Sequence, residues 1–180
     1  DSTLVFNSDN KIFTGDIVAG GANKGVIDTG EYSATIVGSV GSVANGGNAI
    51  NQLKIASTTL VTSLTLSDGD LNTNSVYFGS SKSSLMLSGH TDSIITIATP
   101  LNPANDNSFG TLKISGTANH TINATFGTDS KSFRGLQLST TGGVSTFAAA
   151  SGKQYFGTLT FVGNAAASKA VFAGGAKITN

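Results

Sequence analysis

The sequence contains no cysteine and no tryptophan, two prolines, one methionine, a single glutamate (Glu31) and a single arginine (Arg134). Without cysteine there is neither a disulfide framework nor a thiolate metal site. Charged residues make up 11% of the 180, against about 25% in ordinary globular proteins. Basic and acidic residues balance at 10 each. A nucleic-acid groove needs clustered positive charge to displace counterions, and a zero balance argues against one. Disorder usually combines low hydrophobicity with high net charge, so bulk disorder is excluded as well. No apolar run reaches the roughly 18 residues that a membrane-spanning helix needs. The chain starts at Asp1 without Met or a signal-peptide apolar region, and reads as a mature or excised chain.

What fills the gap is small and polar: 23 Ser, 23 Thr, 15 Asn and 23 Gly, nearly half the chain. No segment carries apolar residues at helical spacing over three turns. Short alternating or β-branched runs recur instead, among them Ala34 to Val37, Leu60 to Leu66, Ile94 to Ile97, Thr121 to Phe126 and Thr158 to Val162. Each is bounded by Gly, Asn, Asp or Ser, the residues that end strands in turns. The chain reads as all-β.

Periodicity selects the architecture. Phe109 to Gly116 (FGTLKISG) recurs as Phe156 to Gly163 (FGTLTFVG), and Phe133 to Ser139 (FRGLQLS) sits midway. Leu85-Met86-Leu87 and Leu64-Thr65-Leu66 extend the series backwards. This spacing predicts a right-handed parallel β-helix (β-solenoid) with coils of roughly 19–27 residues, each turning through three strands, stacked about 4.8 Å apart. A coil cannot fold alone, because its ordering entropy is offset only by stacked neighbours. About eight coils give a rod roughly 35–40 Å long. One inward stack is expected to hold Leu64, Leu85, Leu112, Leu136 and Leu159. The next holds Leu66, Leu87, Ile114, Leu138 and Phe161, with Phe109, Phe133 and Phe156 beside them. Residues 1–180 read as one domain, with a less regular part over 1–58 and regular coils over 59–180. In the first part Ile17, Ile36 and Ile55 suggest a 19-residue spacing, and an N-terminal cap or hairpin stays open there. Pro100 and Pro103 mark a protruding loop, Thr99 to Ser108.

Several segments resemble a repeat of rickettsial surface autotransporters, the family of outer-membrane proteins A and B and the surface cell antigens. They are Thr35 to Val43 (TIVGSVGSV), Ala49 to Ile55 (AINQLKI), Leu4 to Ser8 (LVFNS), Ile12 to Ile17 (IFTGDI) and Gly157 to Asn164 (GTLTFVGN). The resemblance implies an exported passenger-domain fragment on the bacterial cell surface, outside the outer membrane. It also implies a role as adhesin, invasin or surface antigen in virulence, and a translocator barrel elsewhere in the full protein.

Candidate chemistry is sparse. His90 and His120 each lie in a turn-like context and read as surface turn residues; Asp92 is near His90, but no G-x-S-x-G elbow supports a catalytic triad. Asp68-Gly-Asp70-Leu-Asn72-Thr-Asn74 places oxygen ligands at alternate positions like the start of a calcium loop. It has Thr73 and Gly79 where an EF-hand needs Gly and Glu. The glycine clusters lack the context of a phosphate cradle. Two sequons, Asn119-His-Thr121 and Asn123-Ala-Thr125, are present. Thr158 and Thr160 do not repeat at the coil period as an ice-binding array would. Carboxylates are not paired as a polysaccharide lyase or hydrolase requires.

The expectation is therefore a non-enzymatic protein with no catalytic, metal-binding or cofactor-binding residue and no cofactor. It would act in adhesion to or invasion of host cells, through Thr99 to Ser108 and outward aromatics such as Tyr77. Its partner would be a host cell-surface protein or neighbouring copies in a surface layer, with neither nucleic acid nor membrane insertion by this fragment. The alternatives are a structural surface-layer component working by lateral self-association, and a carbohydrate-binding all-β module. Only one Asn-Gly pair, Asn45-Gly46, offers the hairpin turn such a sandwich needs.

Overall fold

The computed structural model describes residues 2–41, 48–57, 59–101, 110–148, 153–162 and 168–178, and these are all-β, with no helix. The strands are β1 (Thr3–Val5), β2 (Lys11–Thr14), β3 (Lys24–Asp28), β4 (Ala34–Val37), β5 (Ile50–Ile55), β6 (Thr62–Ser67), β7 (Leu71–Phe78) and β8 (Ser83–Ser88). They continue as β9 (Ser93–Ile97), β10 (Thr111–Gly116), β11 (His120–Asn123), β12 (Phe133–Thr140), β13 (Val144–Phe147), β14 (Gln154–Phe161), β15 (Lys169–Phe172) and β16 (Ala176–Ile178). The odd-numbered strands form one eight-stranded sheet and the even-numbered strands another, each in sequence order. The paired strands of both sheets are parallel, as in β10 beside β12 and β5 beside β7. The chain thus winds as a β-solenoid that alternates between two facing sheets.

The predicted stacks appear in register. Leu64, Leu85, Leu112, Leu136 and Leu159 lie side by side across β6 to β14, and so do Leu66, Leu87, Ile114, Leu138 and Phe161. The reason is local: β6 alternates buried and half-exposed residues along its length, placing Thr62, Leu64 and Leu66 inward and Ser63, Thr65 and Ser67 outward. The inward residues join the facing sheet's Ile27, Leu53, Ile95 and Ile122 in one core. The second stack departs from expectation at its end, where Phe161 is 54% exposed. Beyond β14, β16 pairs with Gln154, Tyr155 and Phe156, so among the described residues no strand covers Leu159 or Phe161.

Phe133 and Phe156 are register neighbours, whereas Phe109 lies outside the described residues. They join Phe126, Phe147, Phe78 and Phe172 in an aromatic cluster. Phe126 meets Phe133 edge-on at 5.3 Å between centroids, and Phe147 stacks on Phe172 at 4.6 Å. These offset and edge geometries suit the ring quadrupoles.

Two details correct the periodicity reading. Among the described residues each coil contributes two strands, not three; the expected third element appears there only as single bridges, Ile17 to Val40, Val40 to Leu71 and Leu101 to Phe126. The 19-residue spacing of Ile17, Ile36 and Ile55 is not a coil length either. Ile36 pairs with Phe13 and Leu66 in one sheet, Ile55 with Phe78 in the other, and Ile17 forms a bridge between strands. Within 1–58, β1 to β4 pair with parallel neighbours like the later strands.

Close stacking of coils constrains the turns. Gly116 has φ +94, and a Cβ there would run into the carbonyl oxygen of Gly89 one coil earlier. Only glycine meets both conditions.

Candidate functional site

The acids that look scattered in the sequence come together at the corners of the coils. Asp16 Oδ1 accepts the Ser39 N–H at 2.8 Å, and Ser39 Oγ accepts the Asp70 N–H at 3.2 Å. Asp70 Oδ1 accepts the Ile94 N–H at 2.8 Å. In a second series Asp92 Oδ1 accepts the Asn119 N–H at 2.8 Å, and Asn119 Oδ1 accepts the Val144 N–H at 3.0 Å. Each side chain holds the backbone of the following coil where the chain leaves a strand. Short side chains with an oxygen on Cβ (Ser) or Cγ (Asp, Asn) are the ones that can replace a ladder carbonyl at a bend.

The Asp68 to Asn74 segment belongs to this system. Asp68, at φ +58, accepts N–H bonds from His90 at 2.7 Å and Thr91 at 3.3 Å, and a hydroxyl bond from Ser67. These bonds, His90's backbone donor first, hold its carboxyl below the usual range. Asp92 is lowered likewise, by the Asn119 backbone and then its side-chain amide. The Asp68 and Asp70 oxygens that would bind a cation hold the neighbouring coil. Among the described residues no three His, Asp or Glu side chains converge as a metal site.

The two histidines differ. His90 is exposed, with Nδ1 3.0 Å from Thr117 Oγ1, as its turn context implies. His120 is not a surface turn residue: it opens β11, points inward and is 2% exposed. The turn residues Ala118 and Asn119 end one position earlier than the sequence suggests, and His120 takes the first inward place. Its Nδ1 lies 2.8 Å from Ser93 Oγ, and Ser145 follows it in the ladder. His120 Nε2 and Ser145 Oγ, both buried, have no hydrogen-bond partner among the described residues. Burial pushes the imidazole pKa down, against a smaller upward pull from the Asp92 charge. This Ser–His pair is enclosed, and Asp92, the carboxylate whose charge acts on it, is hydrogen-bonded to Asn119. The pair holds no geometry for acyl transfer to a bound substrate.

Tyr77 is outward and 48% exposed, beside Lys54, which pairs with Asp28 at 2.8 Å. Of the Thr99 to Ser108 loop, residues 102–108 lie outside the described residues; Thr99 donates its N–H to the Asn74 carbonyl at 2.8 Å. On the outer face of the even-numbered sheet Thr35, Thr65, Met86, Lys113, Gln137 and Thr160 form one column, interrupting any threonine array. An apolar cleft of about 440 Å³ lies at the β1 end, lined by Leu4, Ile17, Val18, Val26 and Ile50.

Comparison with known protein families, with curated proteins and with solved structures returned no match.

Proposed function

We propose that this chain is a non-catalytic segment of a bacterial surface passenger, a stiff polar rod on the extracellular side of the outer membrane that acts in adhesion to or invasion of host cells. The observation that carries the reading is the unbroken sequence order of both eight-stranded sheets, with a hydroxyl-rich outer surface. Ser67 lies beside Ser88, and Ser115 beside Ser139, on an outward column. Such a surface limits general electrostatic sticking and leaves recognition to single protruding groups such as Tyr77. The segment resemblance to rickettsial autotransporters supports the same reading. The host partner would be a cell-surface protein.

The test couples the purified chain to beads and measures binding to cultured host cells. Saturable binding, weakened at least about threefold by Tyr77→Ala or by shortening 99–108 to a glycine turn, is expected. Binding to no cell type would overturn the adhesive reading. Reproducible cleavage of a polysaccharide, abolished by changing Asp68 and Asp70, would overturn the non-enzymatic one.

A further inference from the structure

Charge on this neutral chain is sorted by corner. The connections that lead from an even-numbered strand to an odd-numbered one hold the acids Asp16, Asp68, Asp70 and Asp92 and neither Lys nor Arg. The opposite corner, where the chain enters the even-numbered sheet, is basic over the later coils. Around the starts of β12, β14 and β16 it carries Lys131, Arg134, Lys153 and Lys177 against Asp129, four bases to one acid and a local balance of +3. Zero net charge therefore conceals a cationic patch, because the compensating acids lie on another edge of the rod.

These side chains gather on the outside of the solenoid. Lys177 Nζ meets Asp129 Oδ1 at 2.7 Å although the two are 48 residues apart in the chain. The hydrogen bond from Lys177, that lysine's charge and, further down, the Lys153 charge hold the Asp129 carboxyl below its usual range. The half-buried Tyr155 lies beside Lys177 in the ladder. Arg134 is exposed directly after the buried Phe133 and forms no ion pair among the described residues. This exposure is lateral. β12, which carries Arg134, and β14, which Lys153 precedes, each have a paired strand on both sides, and both side chains still reach solvent.

Bases from successive coils, about 4.8 Å apart along the axis, match a polymer whose anionic groups recur along its length. Single-stranded nucleic acid needs several open aromatic rings to stack on, and among these residues Tyr155 is one half-buried ring. A sulfated polysaccharide needs none. It supplies sulfates for the Arg fork and the lysines, and hydroxyls for groups such as the exposed Thr158, whose Oγ1 reaches the Arg134 carbonyl at 3.2 Å. We propose that the corner formed by Arg134, Lys153 and Lys177 binds a sulfated polysaccharide chain of the host-cell surface. This names the partner class of the adhesive reading and rests on it for the source of the chain. Arg134 and Lys153 hold neighbouring sulfates, and Lys177 exchanges Asp129 for a third, so Asp129 opposes binding.

The test is binding of the purified 180-residue chain to immobilised heparin, with desulfated heparin and a single-stranded oligonucleotide as comparisons. Affinity should fall steeply between about 50 and 200 mM salt as counterion release weakens. Arg134→Ala should lower it at least about fivefold, and Lys11→Ala, an equal loss of charge at an exposed place in the first coil, less than about twofold. Asp129→Asn should raise it at least about threefold, a gain that a merely structural role at Asp129 would not give. All three variants should keep the parent's circular dichroism. No binding to heparin, equal losses in Arg134→Ala and Lys11→Ala, no gain in Asp129→Asn, or equal binding to desulfated heparin or the oligonucleotide would overturn the proposal. Binding to host cells that persists after their sulfated chains are removed enzymatically would overturn it too, while leaving adhesion intact. Heparin binding with the expected variant pattern, but binding to no cell type, would uphold the sulfate-binding corner and overturn the adhesive reading alone.

Discussion

Leu136→Ala tests the inward stack at its best-defined point. The side chain is 1% exposed and sits in β12 between Leu112, itself 3% exposed, and the partly buried Leu159. Truncation removes three carbons, worth about 2.4 kcal/mol at ~0.8 kcal/mol each. The ladder on both sides fixes the strand spacing near 4.8 Å, so the coil cannot close over the gap. A residual void of roughly 50 Å³ adds about 1.2 kcal/mol at ~24 cal/mol per Å³. The expected loss is therefore about 3–4 kcal/mol. Gln137→Ala, one position on and facing outward, should change stability by less than ~0.5 kcal/mol. Urea unfolding followed by circular dichroism measures both, with an unchanged m-value showing that only stability has moved. Because solenoid coils couple mainly to their neighbours, amide exchange should quicken first in β10, β12 and β14 and least in β2 and β4. Equal losses at Leu136 and Gln137, or exchange quickening first at β2, would refute the inward assignment.

Gly116→Ala should destabilise by at least about 2 kcal/mol in the same assay, since it adds a Cβ at positive φ and against Gly89. His120 is held neutral by burial, its folded pKa lying below the ordinary value near 6.5. Its contribution is complete above that value and is lost as pH falls through the folded pKa. Thermal melts should decline below about pH 6.5, and His120→Gln should flatten that limb alone. Asp68 and Asp92, depressed by their N–H donors, keep their contribution down to about pH 4 and lose it below, as the folded carboxyls protonate. Asp92→Ala should lower the melting temperature at pH 7 and reduce this acid-side loss.

The leucine stacks were legible because inward residues two apart, with an outward residue between, repeat at nearly constant spacing, as in Leu112/Ile114 and Leu136/Leu138. The number of strands per coil was not. Short polar runs such as Asn72 to Ser75 fit a corner as well as a strand, and only the pairing of β7 with β5 and β9 makes them strand. Ile17, Ile36 and Ile55 misled for a related reason: equal spacing between apolar residues does not say which sheet each belongs to. Burial of His120 was hidden because a histidine after Ala118-Asn119 looks like turn continuation. Its inward direction is set by Ile122, two residues on. The corner bonds were hidden too, since each joins residues more than 20 apart through a backbone N–H that any residue could supply.

The same physics accounts for polar groups inside an otherwise apolar rod. The inward place nearest the turn falls to Thr62 and Ser83 in one sheet and to Ser93 and His120 in the other, each opening its strand. Here the chain has just left a corner, and a short hydroxyl can bond to its counterpart in the next coil, as Thr62 and Ser83 do at 3.5 Å. Hydroxyls suit this column because each both donates and accepts, so the pattern can repeat without a leftover group. Imidazole suits it less well: one nitrogen meets Ser93, and the other faces a buried place beside Ser145 without a bond. An unmatched buried polar atom costs stability at every pH, and a second proton on the ring would add an unpaired charge. The coil around His120 is therefore where the solenoid should open first on mild acidification, before any carboxylate is protonated.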